Sequence, residues 1–203
     1  MASISFVTLE VADPEAADRF HSAAFDLDAP VRTRASETPT TGFRGFTMSL
    51  VVSQPANVNE LFKTALDAGA TALKPAAKSL WGYGGVLQAP DGTVWTVASS
   101  SKKDTGPATR QIDDIVLQLG VDDVAASKRF YVDRGLTVSR SYGRKYVEFA
   151  AASSPFKLSL YKHRALAKLV GLPPEGTGSH RLIVGGDAGS FTDPDGFVWV
   201  PAD

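Results

Sequence analysis

The stretch that decides the fold is Asp13-Pro14-Glu15-Ala16-Ala17-Asp18-Arg19-Phe20-His21, which returns later as Asp123-Val124-Ala125-Ala126-Ser127-Lys128-Arg129-Phe130-Tyr131. An aspartate followed by proline, as at Asp13 and Pro14, is typical of a helix N-cap and first helical position. Before each copy, residues 4–11 and 112–121 read as a strand, the first with the alternating pattern of a strand that has two different faces. The sequence therefore predicts a strand followed by a capped helix at two places in the chain.

A second motif also occurs twice and closes each copy. Pro90-Asp91-Gly92 and Pro194-Asp195-Gly196 are typical of hairpin turns, and a tryptophan, Trp95 or Trp199, follows shortly after each glycine. Two motifs repeated in the same order indicate an internal duplication. We assign residues 1–99 to a first unit, the polar stretch 100–110 to a linker, and residues 111–203 to a second unit.

The two copies differ in the middle. Between its helix and its closing hairpin, the second copy carries three predicted strands within 137–161 and a short helix near 164–170. The first copy carries instead a helix that opens near Asn57, because Asn57 and Glu60 have the spacing of a capping box. Each copy thus lacks elements that the other keeps.

Composition narrows the classes of function. The chain has 203 residues, of which 43% are hydrophobic, and this is enough for a sizeable core. With 21% charged residues and a net charge of −1, it lacks the excess of Lys and Arg expected of a nucleic-acid binder. The absence of cysteine excludes disulfides, thiolate metal sites and a cysteine nucleophile. The apolar runs are too short to span a membrane and no secretory signal is visible, so we expect a cytoplasmic protein.

Taken together, these motifs resemble the vicinal oxygen chelate superfamily, and are similar to glyoxalase-like, bleomycin-resistance-like and extradiol-dioxygenase-like proteins. The motifs lie at both ends of both halves, so the resemblance covers almost the whole chain. It implies an α+β fold of tandem βαβββ modules, whose curled mixed sheets form a cleft with helices packed outside. Trp95 and Trp199 are then expected to face the helices as core residues.

The resemblance also implies where catalytic members hold a divalent metal, namely on a His near the start of a module's first strand and a Glu in the closing strand. The matching positions here are Phe6, Thr96, Asp114 or Val116, and Val200. Apart from Asp114, none of these side chains replaces His or Glu as a ligand. Because no dinucleotide fingerprint or nucleophile motif is present either, we expect no metal and no other cofactor.

Several other strand residues are candidates for contact with a small molecule. Thr8 and Glu10 share a strand face with Phe6 and would line the same cleft wall. Glu148 lies between apolar neighbours in a strand, where it faces either the cleft or the solvent. His180 begins a strand, and its alternative is a surface histidine.

Two segments outside the strands add candidates. Arg44 would supply a fixed cation for an anionic ligand, or else is a solvated surface residue. Trp81 and Tyr83 are interleaved with glycines, so they form either an aromatic ligand-contact loop or a turn that caps the core. On the first interpretation, the Trp81–Tyr83 loop borders the principal apolar pocket.

Three functions are consistent with these features. The leading hypothesis is a metal-free protein that binds a partly aromatic or apolar small molecule in a sheet-lined cleft. The second is an enzyme of the same fold, a lyase, isomerase or dioxygenase, with a rebuilt site around Asp114, Glu148 or His180. The third is a scaffold whose cleft is filled by side chains. The expected partner is a small molecule rather than nucleic acid or a membrane, and the question of a homodimer stays open.

Overall fold

The computed structural model describes residues 2–27, 29–151, 154–178 and 181–202. In chain order its elements are β1 (Ile4–Val11), α1 (Pro14–Phe25), β2 (Val31–Ala35), β3 (Thr41–Gly42), β4 (Phe46–Val51), α2 (Pro55–Asp67), β5 (Thr71–Ser79), β6 (Gly82–Gln88), β7 (Val94–Ser99), β8 (Asp114–Val121), α3 (Val124–Asp133), β9 (Val138–Tyr142), β10 (Tyr146–Phe149), β11 (Phe156–Lys162), α4 (His163–Val170), β12 (Gly176–Thr177), β13 (Leu182–Gly186), β14 (Phe191–Thr192) and β15 (Val198–Pro201). Within these described ranges, no helix has the length and apolar character needed to cross a membrane.

The repeated aspartates cap their helices as predicted. Asp13 accepts a hydrogen bond from the backbone N–H of Ala16 at the start of α1, where Pro14 occupies the first turn. Asp123 accepts from the N–H groups of Ala125 and Ala126 at the start of α3. Each carboxylate therefore satisfies N–H groups that have no partner inside the helix.

The larger sheet has eight strands in the order β5-β6-β7-β4-β8-β11-β10-β9. It consists of two βαβββ modules, β4-α2-β5-β6-β7 and β8-α3-β9-β10-β11. In each module the first strand pairs in parallel with the last, and the modules meet where β4 runs antiparallel to β8. The predicted α+β fold with tandem βαβββ-type modules is thus confirmed.

The smaller sheet has five strands in the order β14-β15-β13-β1-β2 and repeats this scheme in reduced form. The parallel pairs β1–β2 and β13–β15 correspond to the first and last strands of a module, and β1 meets β13 antiparallel, as β4 meets β8. The half formed by β1 and β2 keeps its helix, α1, but lacks two strands. The half formed by β13, β14 and β15 lacks the helix and one strand.

Both of these sheets combine strands from the first half of the chain with strands from the second half. The complete modules span residues 46–99 and 114–162. Of the remaining strands, β1, β2 and β13–β15 form the five-stranded sheet, and β3 pairs with β12 in a separate two-stranded sheet. Residues 100–110, assigned to the linker, contain neither helix nor strand. The side chain of Gln54 holds this segment, because its Oε1 accepts hydrogen bonds from the backbone N–H of Thr105 (2.7 Å) and Gly106 (3.0 Å).

The helix predicted near Asn57 begins earlier than its expected capping box. It starts at Pro55 with Gln54 as N-cap, because proline lacks an N–H group and is preorganised for the first helical position. Asn57 Oδ1 accepts from the Gln54 side chain (3.0 Å) and from the backbone N–H of Thr109 (2.9 Å). Asn57 therefore tethers the linker rather than opening the helix.

One cluster of buried apolar side chains joins α1, α2, α3 and one face of each sheet. Trp95 and Trp199 belong to it and are 0% and 1% exposed, which confirms the prediction that they are core residues. Burial of such large side chains supplies a major part of the hydrophobic stabilisation of a domain.

Tyr131 in α3 and His21 in α1 occupy corresponding places in the two copies. Each ring lies 5.4 Å from the ring of the tryptophan in its closing strand. The hydroxyl of Tyr131 donates to the buried carboxylate of Asp193, but the residue that corresponds to Asp193 in the first copy is Ala89. Within the described part of the chain, both ring nitrogens of His21 consequently lie buried without a hydrogen-bond partner.

This unpartnered histidine should make stability depend on pH. Burial lowers the pKa of His21 below its ordinary value of 6.5, although Asp91 and Asp18 oppose the shift. The unfolded chain therefore binds the proton more tightly than the folded chain. We expect the contribution of neutral His21 to be complete above about pH 6.5 and to be lost as the pH falls toward the lowered value, by up to about 1.4 kcal/mol per pH unit.

Urea denaturation of the wild type and of His21→Phe at several pH values measures this contribution. The variant keeps an aromatic ring beside Trp95, but this ring cannot be protonated. On acidification, the free energy of unfolding should therefore fall more for the wild type than for the variant. Parallel pH profiles for the two proteins would show that His21 is not held neutral by the fold.

Candidate functional site

The eight-stranded sheet has a face opposite the hydrophobic core, which we call the polar face. Along each central strand, core residues alternate with the residues of this face, as strand geometry requires. Its central members are Thr47, Ser49, Thr96, Val116, Gln118 and Ser159. The hydroxyl of Thr47 donates to the Gln118 side chain over 2.7 Å. These central side chains are hydroxyls, an amide and a valine, without any charged group.

Helix α4 covers part of the polar face. Its buried side chains Leu166, Ala167 and Val170 pack with Phe43 and with the sheet residues Val86 and Val94. An apolar stripe at this spacing favours burial of one side of the helix. Helix α4 therefore covers the polar face over strands β6 and β7.

Both ends of α4 are fixed to the sheet. At the start, a Cβ atom on Gly120 of β8 would lie 3.1 Å from the Cα of His163, so glycine permits the helix to approach the strand closely. At the end, Lys74 Nζ donates to the carbonyls of Lys168 (3.0 Å) and Leu169 (2.6 Å). A lysine at this position satisfies carbonyls that lack partners inside the helix.

Beside α4, three tyrosines lie next to one another on the same face, and we call them the tyrosine row. Tyr161, Tyr146 and Tyr142 are cross-strand neighbours on β11, β10 and β9, with ring centroids 4.9 Å and 5.9 Å apart. Tyr161 packs against the α4 cluster, whereas Tyr142 is 65% exposed. The row therefore runs from the covered part of the face out to the solvent.

Glu148 anchors the middle of the tyrosine row. Its carboxylate accepts hydrogen bonds from the hydroxyls of Tyr146 (2.8 Å) and Ser139 (3.1 Å). Burial, followed by the bond to Glu148, raises the pKa of Tyr146 well above its ordinary value. Tyr146 thus keeps its proton over the physiological range, and its ring is held in place through its hydroxyl.

The sequence-predicted cleft residues are divided between the two sheets. Phe6, Thr8, Glu10 and Val200 lie on the outer face of the five-stranded sheet, opposite the core. Thr96, Asp114 and Glu148 lie on the polar face of the eight-stranded sheet. The division arises because β1 and β7, the first and last strands of the first unit, belong to different sheets.

The acidic candidates are all engaged by neighbouring side chains. Glu10 forms an ion pair with Arg34 on the adjacent strand. Asp114 accepts from Lys157 Nζ over 2.6 Å, and Glu148 is bonded as described above. Each of these carboxylates bonds to different partners, so the contacts do not bring any two of them together at one site.

The glycine-rich aromatic loop projects away from the rest of the site. Trp81 is 85% exposed at the tip of the β5–β6 hairpin. The hydroxyl of Tyr83 donates to Asn59 of α2 over 2.8 Å. The ring of Trp81 therefore projects into solvent, and contact of this loop with a ligand stays a prediction. His180 lies outside the described residues.

Arg44 is neither solvated nor part of the polar face. It is 7% exposed and lines a cavity together with Arg181, which the sequence analysis did not single out. The tyrosine row and the position of α4 were missed as well. Period-two alternation of Tyr146 and Glu148 with the core residues Val147 and Phe149 is the signal that places them on one face.

The donor set of the polar face does not fit the divalent metal that the resemblance implies for catalytic members. A cation needs several converging nitrogen and oxygen ligands, with charge to compensate its own. Among the described residues, no group of three or more His, Asp or Glu side chains is arranged to hold an ion. At the matching positions on this face, Thr96 and Val116 offer at most one neutral oxygen, and the carboxylate of Asp114 is already paired with Lys157.

Comparison with solved structures identifies proteins of the same architecture. The crystal structure of glyoxalase I from Zea mays matches 100% of this chain and 92% of its own, with a TM-score of 0.65 and 14% identity. That of a putative dioxygenase from Bacillus subtilis subsp. subtilis str. 168 matches 95% of this chain and 71% of its own, with a TM-score of 0.57 and 12% identity. No protein-family model and no curated protein sequence matches.

Proposed function

We propose that this chain, which has the vicinal oxygen chelate fold, is a metal-free small-molecule-binding protein whose ligand lies on the tyrosine row. The observation that carries the proposal is the row itself, three neighbouring rings that lie beside α4 on the polar face. This is the side of the sheet on which the resemblance places the ligand cleft. A ligand there would contact rings and hydroxyls rather than an ion.

The chemistry of the row suits a partly aromatic or apolar ligand. Aromatic groups associate in offset or edge-to-face arrangements, and the exposed ring of Tyr142 offers such a contact. Glu148 supplies an acceptor for a hydroxyl or amino group of the ligand. Small-molecule sites commonly combine apolar surface with a few polar anchors of this kind.

An enzyme with a rebuilt site is less well supported by the geometry. Asp114 is paired with Lys157, whereas Glu148 lies two strands away and accepts from Tyr146 of the tyrosine row. The two carboxylates therefore do not form an acid–base pair. The scaffold hypothesis accounts for the part of the face that α4 fills, but not for the rings beside it. Ligand binding accounts for the rings that α4 leaves uncovered.

A melting-temperature screen with small phenolic and heteroaromatic compounds, in the presence of a chelator, tests the proposal. Compounds that bind the native state raise the melting temperature. We expect Tyr146→Ala to weaken binding of such compounds about tenfold or more, because the central ring and its link to Glu148 are both lost. Tyr146→Phe keeps the ring and should retain most of the affinity.

Tyr83→Ala serves as the matched control, because Tyr83 is a partly exposed tyrosine bonded to α2 rather than part of the row. Its ligand response should equal that of the wild type. Compounds that stabilise Tyr146→Ala as strongly as the wild type would place the site elsewhere. Binding that disappears with chelator and returns with a divalent metal would support the enzyme instead.

A further inference from the structure

Two buried arginines share a cavity of about 500 Å³ beside the Pro90-Asp91-Gly92 turn. Arg44 precedes β4 and Arg181 precedes β13, and each is only 7% exposed. The cavity shares no lining residue with the tyrosine row. The inference that follows therefore does not depend on the function proposed above.

The protein satisfies these guanidinium groups only in part, and with neutral oxygens. Arg181 donates to the backbone carbonyls of Thr38 (2.7 Å) and Ser36 (3.1 Å), while its Nε is buried without a partner in the described part of the chain. Arg44 donates to the hydroxyl of Thr40 (2.9 Å) and to the carbonyl of Asp91. A guanidinium carries five N–H donors, so each arginine keeps donors for a further acceptor.

Negative charge near the pair is limited. The carboxylates among the described lining residues are those of Glu37 and Asp91. Glu37 is exposed and forms no ion pair with either arginine in the described ranges, and the Asp91 carboxylate accepts from the N–H and hydroxyl of Thr93 (2.7 and 3.1 Å). Burial lowers the pKa of Arg44; Asp91 opposes this shift and Arg181 adds to it.

Two positive charges held away from water with this little compensation are costly. An anion between them would remove the cost, because guanidinium groups bind carboxylate and phosphate through paired, charge-assisted hydrogen bonds. Ala12, Ala35 and Pro39 also line the cavity and offer apolar contact for the remainder of an organic molecule. We propose that this cavity is a binding site for an oxyanion, the carboxylate or phosphate group of a small molecule, held by Arg44 and Arg181.

Titration of the full-length protein with sodium phosphate, and separately with sodium acetate, tests the site at constant ionic strength maintained with sodium chloride. Melting temperature and isothermal calorimetry report binding. We expect a saturable response to at least one oxyanion, and the stronger response distinguishes a phosphate site from a carboxylate site. Arg44→Gln and Arg181→Gln should each weaken that binding about tenfold or more, the loss expected for one charge-assisted contact.

Arg19→Gln is the control, because it removes the same charge from an exposed position on α1 and should bind like the wild type. If a glutamine variant does not fold, as judged by near-ultraviolet circular dichroism, Arg44→Lys and Arg181→Lys replace it; these keep the charge, lose the planar fork and should bind more weakly than the wild type. Absence of a saturable response in the wild type, or equal affinity in wild type and arginine variants, would overturn the proposal.

Discussion

Replacing Asp193 with alanine is expected to lower the free energy of unfolding by about 3–5 kcal/mol. The carboxylate is 5% exposed and accepts three hydrogen bonds, from the Tyr131 hydroxyl (2.5 Å) and from the backbone N–H of Asp195 (3.0 Å) and Phe197 (2.8 Å). Alanine removes the two carboxylate oxygens that accept these three bonds and leaves the buried hydroxyl of Tyr131 without its acceptor. Urea denaturation followed by circular dichroism measures the loss.

Asp187→Ala is the appropriate control for this prediction. Asp187 is exposed and accepts from the hydroxyl of Ser3 over 2.6 Å, so its removal should change the unfolding free energy by less than about 1 kcal/mol. A comparably small effect for Asp193→Ala would mean that the Tyr131–Asp193 bond adds little to the packing between α3 and the closing hairpin.

Leu166→Ala should lower the free energy of unfolding by about 2–5 kcal/mol, because it opens a cavity between α4 and the polar face. Leu166 is 0% exposed within the cluster that seats the helix. The same denaturation experiment applies, and the loss of packing should also loosen the inner end of the tyrosine row at Tyr161.

Leu169→Ala is an internal reference for that measurement, since it makes the same substitution in the same helix at a side chain that is 42% exposed. The helix propensities of the two variants are matched, so the difference between them reports burial alone. Equal losses from both variants would contradict the placement of α4 against the sheet.

Local features of the fold could be predicted because they depend on neighbouring residues. Asp13 and Asp123 bond to N–H groups two or three positions away, and such caps are visible in any sequence that contains them. The strands alternate between residues of the core and residues of the opposite face, and the helix predicted near 164–170 is present as α4, His163–Val170. What each element touches was not predictable at this level.

The part of the fold that was not predicted depends on pairings between strands that lie far apart in the chain. The sequence motifs mark residues 1–99 and 111–203 as two units, but the modules of the larger sheet begin at β4 and β8. Strand β2 pairs in parallel with β1 and carries no signal that distinguishes it from a hairpin strand. The site predictions depend on the same pairings, since Phe6 and Thr96 were expected in one cleft and lie on different sheets.

The pair Arg44 and Arg181 shows a related difficulty. The two residues are far apart in the chain, and neither belongs to a recognisable motif. They come together at a cavity lined by the segment 35–40, which bonds to both side chains, and by Asp91. A lone arginine in a sequence is most often solvated, so only the three-dimensional arrangement distinguishes these two.

The pairing of β1 with β13 also has a consequence for biosynthesis. Strand β1 is synthesised well before β13, because the Phe6–Gly185 pair joins residues that lie 179 positions apart in the chain. At about 5–20 residues per second, the interval is roughly 10–35 s. During this time one edge of β1 has no native partner, and open strand edges associate with other chains. Nascent chains that stall before residue 182 should therefore depend on chaperones more than chains in which β13 has already been made.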